Sequence, residues 1–171
     1  MPSEKELPMT TVNTATVGGY RKLTFNSVDE LLAEIDRIIA ADRASALRRC
    51  GNWTAGQIFG HLAAWINYGW EGYPGRTPPW FIRFILRRMK IKYLRDGMRR
   101  GVRIPRVKEG TFGLEPLSTE EGAQRLRQAL ARLKNREPVK FDSPAFGKMS
   151  DEERVRFQLR HAELHLGYLQ Y

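Results

Sequence analysis

Gln158-Leu159-Arg160-His161-Ala162-Glu163-Leu164-His165-Leu166-Gly167-Tyr168 carries two of the three histidines of this chain, four residues apart. On an α-helix, positions i and i+4 lie one above the other on the same face. A helical wheel gathers Arg156, Arg160 and Glu163 on one side, which is expected to meet water. The opposite side holds Gln158, His161 and His165, flanked by Leu159, Ala162, Leu166 and Leu169. Both imidazoles are therefore expected to face the core, stacked closely enough to reach one metal ion. Glu163 is expected to project into solvent. That argues against reading His-Ala-Glu-Leu-His as a variant of the His-Glu-x-x-His zinc-protease motif, whose glutamate must reach the metal-bound water.

The third histidine, His61, follows the capping box Thr54-Ala-Gly-Gln57 in a stretch that runs to about Trp70 without one charged residue. Such a helix is buried on most sides. His61 lies seven residues after Thr54, and position 163 lies seven residues before a helix end expected near 170. If the two helices run antiparallel, all three rings reach the same level, about 10 Å from one end. If they run parallel, the levels differ by roughly 9 Å and no shared site forms. Gln57 and Tyr68 fall close to His61 around the wheel. With Gln158 and Tyr168, they are the nearest polar candidates to support the site or touch a substrate. A buried polar group satisfied by backbone is the competing reading for each of the four.

Three further boxes mark helix starts: Ser27-Val-Asp-Glu30, Ser118-Thr-Glu-Glu121 and Ser150-Asp-Glu-Glu153. In each, the serine oxygen takes a free amide and the acid reaches back to the serine's own amide. Helices are expected at about 27–42, 54–70, 118–134 and 150–170, with a basic, aromatic helix at about 80–95. No alternating apolar pattern of five or more residues suggests a strand. The fold class expected is all-α, a helical bundle. Residues 1–20 read as a flexible N-terminal arm and 21–171 as one domain.

One cysteine, Cys50, excludes an intrachain disulfide and fits a reducing, cytoplasmic setting. The N-terminus lacks the apolar core of a secretion signal, and no apolar run approaches the roughly 20 residues of a membrane span. The net charge of +10 is local. Residues 83–108 hold eleven basic side chains against Asp96 alone, and eleven minus one accounts for the whole excess. A field of that sign attracts anions. The segment could lie on an anionic membrane, track phosphates, or cap a pocket and draw in an anionic substrate. In the plainest reading its aromatics pack on the bundle while its charges are solvated. No nucleic-acid-binding motif accompanies it.

Asn52-Trp53-Thr54-x-Gly56-Gln57-x-x-x-His61-Leu62, the basic Trp/Phe/Arg segment, Pro144-Ala-Phe-Gly147 and His161-x-x-x-His165-Leu166 together resemble the DinB/YfiT-like superfamily, in a branch known only as a domain of unknown function. The resemblance covers residues 20–171. It implies a four-helix bundle of up-down-down-up order, with residues 71–117 as the long crossover between the second and third bundle helices. It also implies a divalent metal, zinc or nickel, on His61, His161 and His165, with water completing the shell. Some relatives transfer low-molecular-weight thiols or act as thiol-dependent isomerases. One departure stands out: Ser143 replaces the histidine expected before Pro144, and any part that histidine plays in the pocket is lost here.

The chemistry agrees with three imidazoles, which suit Zn²⁺, Ni²⁺ or Fe²⁺ and leave a coordination position open. The expected function is a metal-dependent enzyme that activates water, as a hydrolase, or a small thiol, as a transferase, on a small anionic substrate. The alternative is a non-catalytic bundle with structural histidines whose basic 83–108 segment binds an anionic membrane or nucleic acid. A homodimer is open in either case. Cys50 reads as a packed thiol rather than a reactive one.

Overall fold

The computed structural model describes residues 11–107 and 109–171. The first half of the expected arm, and Lys108 of the basic segment, lie outside the described residues. Five α-helices carry the chain: α1 (Val28–Arg43), α2 (Ala55–Glu71), α3 (Trp80–Asp96), α4 (Thr119–Lys134) and α5 (Asp151–Leu166). Two two-residue strands, β1 (Arg48–Arg49) and β2 (Leu169–Gln170), pair antiparallel. The class is all-α with that one clasp.

Full capping boxes start α2, α4 and α5. The one at α1 is half made. Ser27 accepts from Glu30 N, but the Glu30 carboxylate reaches one residue further, to the amide of Asn26 at 2.7 Å. The last helix is shorter than its periodicity suggested. It stops at Leu166, and the chain turns through Gly167 so that Leu169 can pair with Arg49.

The helix directions follow from which ends meet. α1 and α4 are antiparallel: Arg43 pairs with Glu120, Asp36 with Arg127, and Asp29 with Lys134. These exposed pairs contribute little energy each, but they fix the register. α2 and α4 run side by side in the same direction. Their starts touch at Gly56 and Gly122. Near their ends Arg132 lies 4.1 Å over the Trp70 ring and donates to Asn67 Oδ1. α2 and α5 are antiparallel: the β clasp joins the approach to α2 with the exit from α5. At the other end Trp70 shares a surface cleft with Asp151 and Arg154. This is the relation that a shared histidine site requires.

The core between these four helices is built from Leu31, Ile35 and Ile38 of α1, Ile58, Phe59 and Leu62 of α2, Leu126 and Leu130 of α4, and Leu159 and Leu166 of α5. Helix α3 is different, since none of its residues is buried. It is held to α5 by Lys90, which pairs with Glu153 at 2.7 Å, and by Tyr93, which packs on Phe146 and through it on Phe157. The Phe146 turn is closed by Ser143, whose hydroxyl accepts from Phe146 N at 3.1 Å and whose carbonyl accepts from Gly147 N. Ser143 thus shapes a turn in the connection that leads into α5, and Gly147 there takes a φ of +71°.

Residues 12–20 run along the domain. Val12 exchanges two hydrogen bonds with the Asn52 side chain, Val17 O accepts from Arg100, and the Tyr20 hydroxyl donates to the Glu163 and Leu164 carbonyls.

This lead-in changes the status of Glu163, which is buried and not solvated. Its carboxylate accepts from Phe25 N at 2.6 Å and pairs with Arg160 at 2.9 Å, while Arg160 also donates to Phe25 O. The face of α5 carrying Arg160 and Glu163 is covered by residues 20–25. Burial raises the Glu163 pKa, with the Phe25 amide and Arg160 opposing. Glu163 remains outside the histidine cluster, but because it is engaged by this clamp, not because water holds it.

Candidate metal centre

His61 comes from the second turn of α2, and His161 and His165 from successive turns of α5. Because the helices are antiparallel and close, the three rings converge. His161 Nε2 lies 3.2 Å from His61 Nε2 and 3.1 Å from His165 Nε2. All three candidate ligand atoms lie within 4.8 Å of one another. His61 and His161 are buried, while His165 keeps part of its surface open.

The hydrogen-bond partners define the chemistry of this cluster. His61 Nδ1 lies 2.9 Å from the carbonyl oxygen of Phe112. A carbonyl only accepts, so Nδ1 carries the proton and Nε2 presents a lone pair. The same carbonyl accepts from Trp65 Nε1 at 3.3 Å. His161 Nε2 therefore faces a bare nitrogen on one side and a second imidazole on the other. One proton cannot serve both contacts. His161 Nδ1 is buried without a partner among the described residues, as is Oε1 of Gln158 one turn earlier.

A divalent ion removes the conflict. Nitrogen ligands about 2.0–2.1 Å from a tetrahedral ion stand about 3.3 Å apart, close to the two spacings from His161 Nε2. The donor set therefore fits a divalent metal held by three neutral imidazoles.

Aromatic rings enclose the cluster. Trp53 stacks on His165 at 5.1 Å with planes 16° apart, and lies 5.1 Å from His61. Trp65 meets His61 and His161 edge-on at 6.0 and 5.7 Å. Burial among these rings pushes His61 down to about 4, against the pull of the Phe112 carbonyl. His161 and His165 are held well below the usual histidine range, first by burial and then by their histidine neighbours. At neutral pH all three are uncharged, as ligation requires.

The depressed values predict how the metal-free protein responds to acid. Below about pH 6.5 the unfolded chain takes up protons that the folded imidazoles refuse, His61 down to about pH 4. Stability is therefore full above 6.5 and falls as pH drops, with His61 alone responsible for about 3 kcal/mol by pH 4. Glu163, whose pKa is raised, works in the opposite sense. Urea unfolding of chelator-treated protein between pH 7.5 and pH 4.5 is expected to show this slope, and to show less of it in His61→Leu. Equal slopes in both proteins would remove the argument.

The four polar candidates are placed differently. Gln158 is buried on the histidine face of α5. Tyr68 packs on Trp65 and Tyr73, with its hydroxyl beside Gly113. Gln57 is used at the cap, where its side-chain oxygen accepts from Thr54 N at 2.9 Å. The Tyr168 hydroxyl donates to Thr14 O at 2.8 Å, and its ring packs against Tyr20 and Gly51. Cys50 is half-buried, with its sulfur 3.5 Å from Tyr168 O. Three groups at the site were not singled out from sequence: Trp53, Trp65 and the Phe112 carbonyl. Trp65 follows His61 by four residues, so the wheel could have found it. Trp53 directly precedes the Thr54 cap, a position that fixes how the chain enters α2. A backbone carbonyl in an irregular segment leaves no such signal.

Comparison with known proteins gives no match among curated proteins and none among solved structures. Residues 19–171, which span every element described above, match the model of a family described as a protein of unknown function (DUF1569), and this chain belongs to that family.

Proposed function

We propose that this chain is a divalent-metal-dependent enzyme of the DinB/YfiT-like type, with His61, His161 and His165 as the protein ligands. The observation that carries this reading is the placement of His61 Nε2 and His165 Nε2 at 3.2 and 3.1 Å from His161 Nε2, around a proton conflict that a shared cation would resolve. The pairwise helix directions support reading α1, α2, α4 and α5 as a four-helix bundle of up-down-down-up order, with α3 in the crossover.

The ion, when bound, supplies Lewis acidity toward a water or a small thiol, which gives a hydrolase or a thiol transferase. The chain's own groups prepare the site. The Phe112 carbonyl holds the His61 proton on Nδ1 and leaves Nε2 free to ligate. Trp53, stacked on His165, holds that ring in place, and with Trp65 it keeps bulk water from the buried side. His165 is the ligand nearest solvent, so a small substrate would reach the site from its side. Three neutral imidazoles favour zinc or nickel and accommodate iron.

Elemental analysis of protein purified without an affinity tag, followed by equilibrium dialysis against zinc, nickel and ferrous iron, tests the proposal. One ion per chain is expected. A well-folded protein that takes up none of the three removes it.

A further inference from the structure

Helix α3 shows an apolar face that the domain leaves uncovered. Trp80 is 79% exposed, Phe84 55% and Ile91 69%, and Phe81 and Ile85 are half exposed. At 100° per residue these five side chains fall within an arc of about 140°. The opposite face, with Leu86, Lys90 and Tyr93, is the one that packs toward α5. The outward arc also carries Arg88, Lys92 and Arg95, all exposed, with Arg87 at its edge. Asp96 is the only acidic residue of the helix, and Arg95 already pairs with it at 2.6 Å. Past the helix, Arg99, Arg103 and Arg106 continue the positive charge, with Val102 71% exposed among them.

A solvated helix has no use for a tryptophan, two phenylalanines and two isoleucines on its outer side. A second copy of this chain is a poor cover, because an isologous contact lays the positively charged arc of Arg88, Lys92 and Arg95 against the same arc of the partner. Phosphate tracking uses the charges and leaves the apolar arc wet. A lipid surface uses both: aromatic and aliphatic side chains enter the boundary between headgroups and acyl chains, and basic side chains meet anionic headgroups. No helix among the described residues is long and apolar enough to cross a membrane, so the contact is peripheral.

We infer that α3 is a docking helix for an anionic lipid surface, inserted through Trp80, Phe81, Phe84 and Ile85 and held by Arg88, Lys92 and Arg95. This inference does not depend on the metal. The histidine cluster lies at the far end of α5 from Glu153, where α3 is attached.

Co-sedimentation of the full chain with phosphatidylcholine vesicles, with and without phosphatidylglycerol, tests it. Binding is expected to the anionic vesicles only, and to weaken with salt. Bromine-labelled acyl chains are expected to quench tryptophan fluorescence, and Trp80→Phe to lose that quenching while still binding. Neutralising three charges in Arg88→Gln/Lys92→Gln/Arg95→Gln is expected to weaken binding about a hundredfold. Trp80→Ser/Phe84→Ser is expected to weaken it as well. All these positions are exposed, so thermal melts and metal content should match the wild type. The inference is overturned by no binding to anionic vesicles at low salt, by binding indifferent to both variants, or by duplex DNA bound as tightly with loss in the charge variant alone, which assigns the helix to nucleic acid. A dimer that protects Trp80 from a soluble quencher also overturns it.

Discussion

His161→Ala is expected to lower divalent-metal affinity by about a thousandfold, if each of the imidazoles contributes a comparable share of the binding energy. His161 is the ring to choose because its Nε2 makes both short contacts in the cluster. Without it, His61 and His165 remain on different helices with no nitrogen between them. Equilibrium dialysis against zinc, with circular dichroism as a check on folding, measures the effect. Phe112 O keeps its His61 and Trp65 donors in this variant, so α2 and the crossover should hold their positions. Retention of one tightly bound ion in a folded His161→Ala protein would show that the ion sits elsewhere. Gln158→Leu provides a contrast, because it removes a buried oxygen that has no partner among the described residues. Its effect on affinity is expected to stay within about tenfold to hundredfold, the range of groups that act through a ligand.

The second large effect is expected from two glycines where α2 meets α4. A Cβ on Gly122 would stand 2.5 Å from Gly56 O and 3.0 Å from Phe59 Cβ. A Cβ on Gly56 would collide with the Leu117 carbonyl and the Ser118 backbone. Backbone cannot swing aside as a side chain can, so α2 and α4 must separate. Gly122→Ala and Gly56→Ala are each expected to cost about 3 kcal/mol or more, which corresponds to roughly 6–12 °C in melting temperature for a domain of this size. Gly18→Ala is the control, because nothing lies within 4 Å of its added carbon. Differential scanning calorimetry decides the matter, and a Gly122→Ala midpoint equal to that of Gly18→Ala contradicts the packing argument. Since α2 carries His61, metal affinity should fall along with stability.

What could be read before the structure divides along physical lines. Helix starts were legible because a capping box is a local code, and Thr54, Ser118 and Ser150 use it in full. The histidine face of α5 was legible because helical spacing alone sets it. Glu163 was misplaced because a wheel describes one helix in isolation, and Tyr20 to Phe25, which covers that face, has no period to betray its course. Tyr168 pointed toward the site only while the helix was extended past Gly167. Once the helix stops there, the ring turns to Thr14 and Tyr20. Gln57 was marked both as a cap and as a site candidate, and one amide oxygen serves the cap. The exposure of α3 could not be read at all, since apolar residues at helical spacing look alike whether or not something covers them.

The Phe112 carbonyl has a consequence for how this site can vary. The oxygen that sets the His61 tautomer belongs to the main chain, so any residue at 112 could supply it. What aims it is the next residue, Gly113, at φ +72°, where an added carbon would meet Ala64 and the Tyr68 hydroxyl. The information that fixes the ligand's proton is thus written one position away from the atom that does so, in a residue with no functional group. A saturation scan scored on metal retention should find 113 intolerant and 112 permissive, the reverse of what the hydrogen bonds alone would suggest.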